Sequence, residues 1–104
     1  MTDPITYPLA DRDRDGWYSD GDYQMRNGRM IQMAPREYLS RVRPLEMDET
    51  SRDAIDDLKT HIVSGRRLDP LKIYHDGRED GRHRAHACSE LGIDKVPVIV
   101  FESS

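Results

Sequence analysis

One cysteine, Cys88, leaves no partner for an intrachain disulfide and no thiol pair for a zinc knuckle. A reducing compartment is the expectation. No apolar run approaches the roughly 20 residues that would span a bilayer, so a membrane-embedded protein is not expected. The opening segment, MTDPITYPLADRDRDGWYSD, lacks a basic stretch followed by an apolar one. It does not read as a secretory leader, and a cytoplasmic location is the expectation. An excess of positive charge is also missing. The formal charge is -4, which argues against a protein whose whole surface grips duplex DNA, though a local basic patch is compatible with it. No internal repeat is visible.

What is present fits one small domain. Hydrophobic and charged residues are nearly balanced, at 36% and 35% of the 104-residue chain. A chain of this size buries roughly two-thirds of its unfolded surface. Residues 1–22 are rich in Asp, Pro and Gly and read as a flexible acidic arm. Residues 23–104 read as a single domain. Asn27-Gly28 signals a two-residue hairpin with Tyr23 and Met25 on one side and Met30 and Ile31 on the other, because a type I′ turn needs positive φ at both central positions. Pro35 suits the first position of a short helix, APREYLSRV, which Pro44 ends. The clearest helix is DETSRDAIDDLKTHIVSG. Ile55, Leu58 and Ile62 share a face, Thr50 and Asp53 resemble a capping box, and Gly65 stops it. The opposite face, with Asp53, Asp56, Asp57 and Lys59, reads as solvated. LKIYH reads as a strand ended by Asp76-Gly77, with Leu71 and Ile73 alternating with Lys72 and Tyr74. Ala85, Cys88 and Leu91 share the inner face of a third helix that Gly92 ends. VPVIVF reads as a strand buried on both faces, with Pro97 near its start. Strands separated by helices predict a mixed α/β fold, a small mixed sheet with packed helices.

The chemistry concentrates at Asp80-Gly81-Arg82-His83-Arg84, where the third helix opens. The first amides of a helix have no internal partner, and the peptide dipoles add about half a positive charge there. Gly81 lets a backbone approach a ligand closely, while Arg82, His83 and Arg84 offer donors to phosphate oxygens. The set describes an anion site. The plainer reading is a common Asp-Gly turn, with Asp80 as the helix N-cap and arginines on an exposed face.

DGRHRAHACSELGIDKVPVIV resembles the signature of the ParB/sulfiredoxin superfamily, in which a Gly-x-His-Arg element opens a helix that leads to ELG and VPV. MDETSRDAIDDLKTHIVSGRRLDPLKIYHDG is similar to the segment that precedes it, so the resemblance covers residues 45–101. It implies a mixed α/β fold of the ParB/sulfiredoxin type and a nucleotide pocket in which Gly81, His83 and Arg84 hold phosphates beside Arg82 and Asp80. Members bind CTP, use ATP, phosphorylate free serine or act as nucleases. ATP or CTP, with magnesium, are the implied ligands. Two departures stand out. Sulfiredoxins carry a cysteine where this chain has Arg82, and Cys88 falls on the apolar face, so sulfiredoxin chemistry is not expected. The DNA-reading helical domain of partition proteins is not expected within these 104 residues.

Phosphoryl transfer also needs a carboxylate to take a proton or hold magnesium. Glu46, Asp48, Glu49, Glu79 and Asp80 are candidates. Glu46, between Leu45 and Met47, is the first choice if it points inward, and Asp80 the second. Other constellations compete. Asp11, Asp13, Asp15 and Asp22 match positions of a calcium loop, but without flanking helices or a terminal Glu. His75, His83 and His86, with Asp76 or Asp80, suggest zinc, although Arg82 and Arg84 oppose it. Trp17, Tyr18 and Tyr23 could stack bases, yet their acidic surroundings favour pinning the arm to the domain. Two functional readings follow. One is a nucleotide-dependent phosphotransferase, NTPase or nuclease. The other is a non-catalytic module that binds a nucleotide or nucleic-acid phosphate and works through a protein partner or a second copy of itself.

Overall fold

The computed structural model describes residues 5–11 and 28–101. The order is β1 (Gly28–Met33), α1 (Pro35–Arg41), α2 (Glu49–Val63), β2 (Leu71–Tyr74), β3 (Glu79–Asp80), α3 (Arg82–Glu90) and β4 (Val96–Phe101). The strands form one mixed sheet ordered β1-β4-β2-β3. β4 runs antiparallel to β1 and parallel to β2, with Leu71 opposite Val98 and Tyr74 opposite Phe101. A parallel neighbour requires a crossover connection, and α3 supplies it. The fold is the mixed α+β class that the strand and helix pattern predicts.

β4 lies between β1 and β2, which explains why Val96, Val98, Ile99 and Phe101 are all buried. The same central position corrects one expectation. The alternation of Lys72 with Leu71 and Ile73 suggests a half-exposed strand, yet the Lys72 side chain is only 2% exposed. β2 is covered on both faces, and Lys72 keeps its charge paired by reaching Asp80 at 3.2 Å. The short strand β3 does not emerge from periodicity, because two residues have none. It forms when Tyr74 N–H bonds Arg78 O (2.9 Å) and Asp76-Gly77 turn the chain back, with Gly77 at φ 90°.

The helix ends follow local chemistry closely. At α2, Gly65 N–H reaches Ile62 O (3.1 Å) and Arg66 N–H reaches His61 O (3.0 Å). At α3, Gly92 N–H reaches Ser89 O (3.1 Å) and Ile93 N–H reaches Cys88 O (3.0 Å). Both are the paired bonds of a glycine-terminated helix, and the second buries Ile93 against the core. The start of α2 differs from the expected Thr50–Asp53 box. Asp48 is the N-cap, and its Oδ1 accepts from Ser51 N–H at 2.8 Å. Asp48 stands one residue ahead of the helix, where the capping carboxylate belongs.

Gly28 corrects a second expectation. It opens β1 opposite Phe101, and it is not among the positive-φ glycines. A type I′ turn is therefore absent at Gly28; Tyr23, Met25 and Asn27 lie outside the described residues. Its lack of a side chain serves packing, since a Cβ there would come within 2.8 Å of both Ile99 and Phe101. The segment 5–11, assigned by composition to a flexible arm, is docked. Ala10 N–H bonds Leu68 O (2.9 Å), Leu68 N–H bonds Pro8 O (2.8 Å), and Ala10 is buried.

On the outer side, α2 is tied to the end of α3. Glu90 accepts from Arg52 (2.6 Å) and Lys59 (3.1 Å), and Arg52 also reaches Asp56 (2.8 Å). Hydrogen bonds from Arg52, then Lys59, hold the Glu90 carboxyl down at about 2, against an ordinary 4.5. A depressed carboxylate stabilises the fold above its ordinary pKa, and that contribution fades as pH falls from 4.5 toward 2. Glu90→Gln is therefore expected to be less stable than wild type at pH 6. The gap should narrow by about pH 3 and close only near pH 2, as read by urea denaturation across that range.

Candidate functional site

Gly81 is the N-cap of α3 and has φ 131°. A Cβ on Gly81 would lie 2.7 Å from Leu71 Cγ and 3.0 Å from Leu71 Cβ. Backbone conformation and close approach to β2 both demand glycine here. Gly81 has no side-chain acceptor, and its own carbonyl takes the Ala85 amide at 2.8 Å. The amides of Arg82, His83 and Arg84 thus begin α3 without a side-chain cap among the described residues. Asp80, expected as the cap, is not one. It belongs to β3, and its carboxylate takes Lys72 Nζ at 3.2 Å and Arg84 Nη2 at 3.5 Å.

The three cationic residues of the motif separate. Arg84 turns into the molecule. Its side chain is 13% exposed, and Nη1 donates to Asp69 O (2.5 Å), Pro70 O (3.4 Å) and Tyr7 Oη (3.3 Å). Tyr7 in turn donates to Asp69 O. This guanidinium fastens the docked segment 5–11 and the approach to β2 onto α3, a structural duty in place of the expected phosphate contact. Arg82 stays at the helix entrance. Its Nε reaches Glu79 Oε1 (3.1 Å), and Nη1 reaches Pro44 O (3.2 Å) and Arg43 O (3.5 Å). His83 Nε2 lies 3.3 Å from Ser51 Oγ. Ser51 is in the first turn of α2, so this contact joins the first turns of two helices.

Glu79 and Arg43 complete the corner, and both contacts arise only from folding. Arg43 Nη2 meets Glu79 Oε1 at 3.3 Å. Glu79 is 5% exposed, and its Oε2 is buried with no hydrogen-bond partner. Glu79 is among the five candidate carboxylates, but nothing in the sequence marks its burial, which it owes to the β2–β3 pairing, or the position of Arg43, which comes from the connection between α1 and α2. The direction of Arg84, by contrast, was available: it shares the inner stripe with Ala87, Cys88 and Leu91, at spacings of 3, 4 and 7.

The remaining candidates are placed as follows. Glu46 is exposed, as is Met47 beside it, so the inward orientation that would suit a catalytic acid is not adopted. It sits on the connection that Arg82 holds through Pro44 O. Cys88 is fully buried, and burial pushes its thiol up to about 12. His86 lies deeper along α3, where burial lowers its pKa. Among the described residues no three His, Cys, Asp or Glu side chains gather to hold a metal ion. Of the calcium-loop candidates, Asp13, Asp15 and Asp22 lie outside the described residues, as do Trp17, Tyr18 and Tyr23. A cavity of about 370 Å³, lined by Ile5, Tyr7, Gln32, Ile93 and Lys95 among others, opens near the opposite end of α3. None of the motif residues lines it. Comparison with protein-family models, curated proteins and solved structures finds no significant match to this chain.

Two outcomes test these assignments. Arg84→Ala, and Arg84→Lys as well, should lose about 2–4 kcal/mol of stability in urea denaturation, because the buried carbonyls lose a forked donor that lysine does not replace. A variant as stable as wild type would remove Arg84 from the structural role. Cys88 should react with a thiol reagent only on unfolding, so native protein at pH 8 should show labelling slower by orders of magnitude than protein in urea.

Proposed function

We propose that this protein binds the phosphoryl group of a nucleotide at the entrance of α3. The amides of Arg82, His83 and Arg84 would serve as backbone donors, with Arg82 and His83 as side-chain contacts. The observation that carries the reading is a helix start at Gly81 that has no side-chain cap and allows none. An uncapped start presents converging N–H groups and the positive end of the helix dipole, the chemistry of anion binding. The resemblance of residues 45–101 to ParB/sulfiredoxin-like domains makes ATP or CTP, with magnesium, the ligands to test first.

The carboxylates favour the binding module over the enzyme. Glu46 is exposed on the α1–α2 connection, Asp80 is engaged by Lys72 and Arg84, and Glu79 Oε1 is engaged by Arg82 and Arg43. Glu46 and Asp80 are thus not ready proton acceptors beside the open amides, and Glu79 is held as an ion-paired carboxylate by two guanidinium groups. On this reading the bound nucleotide is a signal, and its consequence passes through a protein partner or a second copy of the chain.

Thermal-shift titration with ATP and CTP, with and without magnesium, tests the proposal. Ligand at roughly 100 times its Kd should raise the melting temperature by about 10 °C or more. His83→Ala and Arg82→Ala should reduce that shift while folding normally. Absence of any shift with either nucleotide would overturn the reading. Incubation with ATP, CTP and single-stranded DNA in magnesium should yield no product; turnover lost in His83→Ala would reinstate the enzyme.

A further inference from the structure

Glu79 has one oxygen with two donors and one oxygen with none. Arg82 Nε and Arg43 Nη2 both address Oε1, at 3.1 and 3.3 Å. Oε2 is buried and unpartnered. A carboxylate accepts about four hydrogen bonds, and a buried acceptor left without one is destabilising. Ion pairing explains why Glu79 is held by two guanidinium groups. It does not explain a second oxygen taken out of water and given nothing.

No described residue supplies a donor to this oxygen. A metal ion is disfavoured, since two guanidinium groups already flank the carboxylate and no set of three ligating side chains forms among the described residues. The position is informative. Arg82, whose Nε bonds this carboxylate, is the first residue of α3, so Glu79 is tied to the helix entrance through one side chain. Arg43 is the one exposed partner, with a side chain 74% exposed and a bond of 3.3 Å. Arg43 is thus the partner of Glu79 that water already reaches, and the one free to move away from it.

We infer that Glu79 is a specificity residue of the α3 entrance, its unfilled oxygen accepting a hydrogen bond from a hydroxyl or amino group on the phosphate-bearing ligand once Arg43 swings aside. The inference rests on the anion site proposed above and narrows it. The ligand is a phosphoester with a donor close to its phosphates, a nucleotide in place of bare polyphosphate. The carboxylate repels the phosphates and attracts the donor, so it selects between the two.

Calorimetric titration of wild type, Glu79→Gln and Arg43→Ala with ATP and with inorganic tripolyphosphate separates the possibilities. In wild type ATP should bind more tightly than tripolyphosphate. Glu79→Gln should weaken ATP by about tenfold, the scale of one hydrogen bond to a charged acceptor. The same change should leave tripolyphosphate unchanged or tighter, because a negative charge beside the site is gone. Arg43→Ala, altered at an exposed side chain and expected to fold, should keep or raise the ratio of ATP to tripolyphosphate affinity. If Glu79→Gln weakens both ligands equally, Glu79 only positions Arg82 and the inference fails. If it tightens both, a water fills the empty oxygen and the inference fails. If ATP and tripolyphosphate bind wild type equally, no donor is read and it fails while the anion site stands. If tripolyphosphate does not bind wild type at all, the anion site falls and takes the inference with it.

Discussion

The Arg84 guanidinium is the contact on which this arrangement depends. One side chain of α3 bonds the carbonyls of Asp69 and Pro70 ahead of β2, the Tyr7 hydroxyl of the docked segment, and the Asp80 carboxylate of β3. Tyr7 is 77 positions from Arg84, and the other groups lie just ahead of β2 and in β3, so one side chain joins the docked segment to the sheet edge. Burying a guanidinium is costly unless its donors are used, and here both terminal nitrogens are used. The carbonyls it reaches belong to the connection that leads into β2 beside the buried Pro70. Lys72 supports the same corner from within the sheet through Asp80.

This division of labour changes how the motif is understood. Within Arg82-His83-Arg84, successive side chains leave a helix about 100° apart, so three neighbours cannot all face one ligand. Arg84 faces the core, His83 faces α2, and Arg82 faces the α1–α2 connection. The common property of the three residues is their backbone amides, which all point out of the helix start. A cradle at this position is therefore chiefly a backbone device, tuned by Arg82 and His83.

Much of the fold was legible for identifiable reasons. Gly65 and Gly92 terminate helices because positive φ favours glycine, and both positions adopt it. The alternating valines of β4 and the helix between β2 and β4 announce a parallel crossover. The failures are also physical. Gly28 carries a turn signal locally but is used for packing beneath Ile99 and Phe101, a contact between chain segments some 70 residues apart. Lys72 alternates like a surface residue, and only the sheet order places it inside. At the candidate site, Gly81, Arg82 and His83 could be read from the motif and Glu79 is one of five candidate carboxylates, whereas Arg43 and Ser51 are recruited by tertiary contact and carry no local mark.

The open helix start follows from packing at β2. A cap would require Ser, Thr, Asp or Asn at position 81, and Leu71 excludes any Cβ there while φ 131° penalises one. The preceding residue, Asp80, has the right chemistry for a cap, but Lys72 and Arg84 hold its carboxylate. The usual ways of satisfying the first amides are thus removed by two separate interactions that also build the core. The neighbouring helix shows the contrast, since α2 starts on the same corner with Asp48 capping it. Of two helix starts joined through His83 and Ser51, one is neutralised by a carboxylate and the other is kept bare. Of these two starts, only that of α3 keeps its field open, with Arg82 and Glu79 paired beside it.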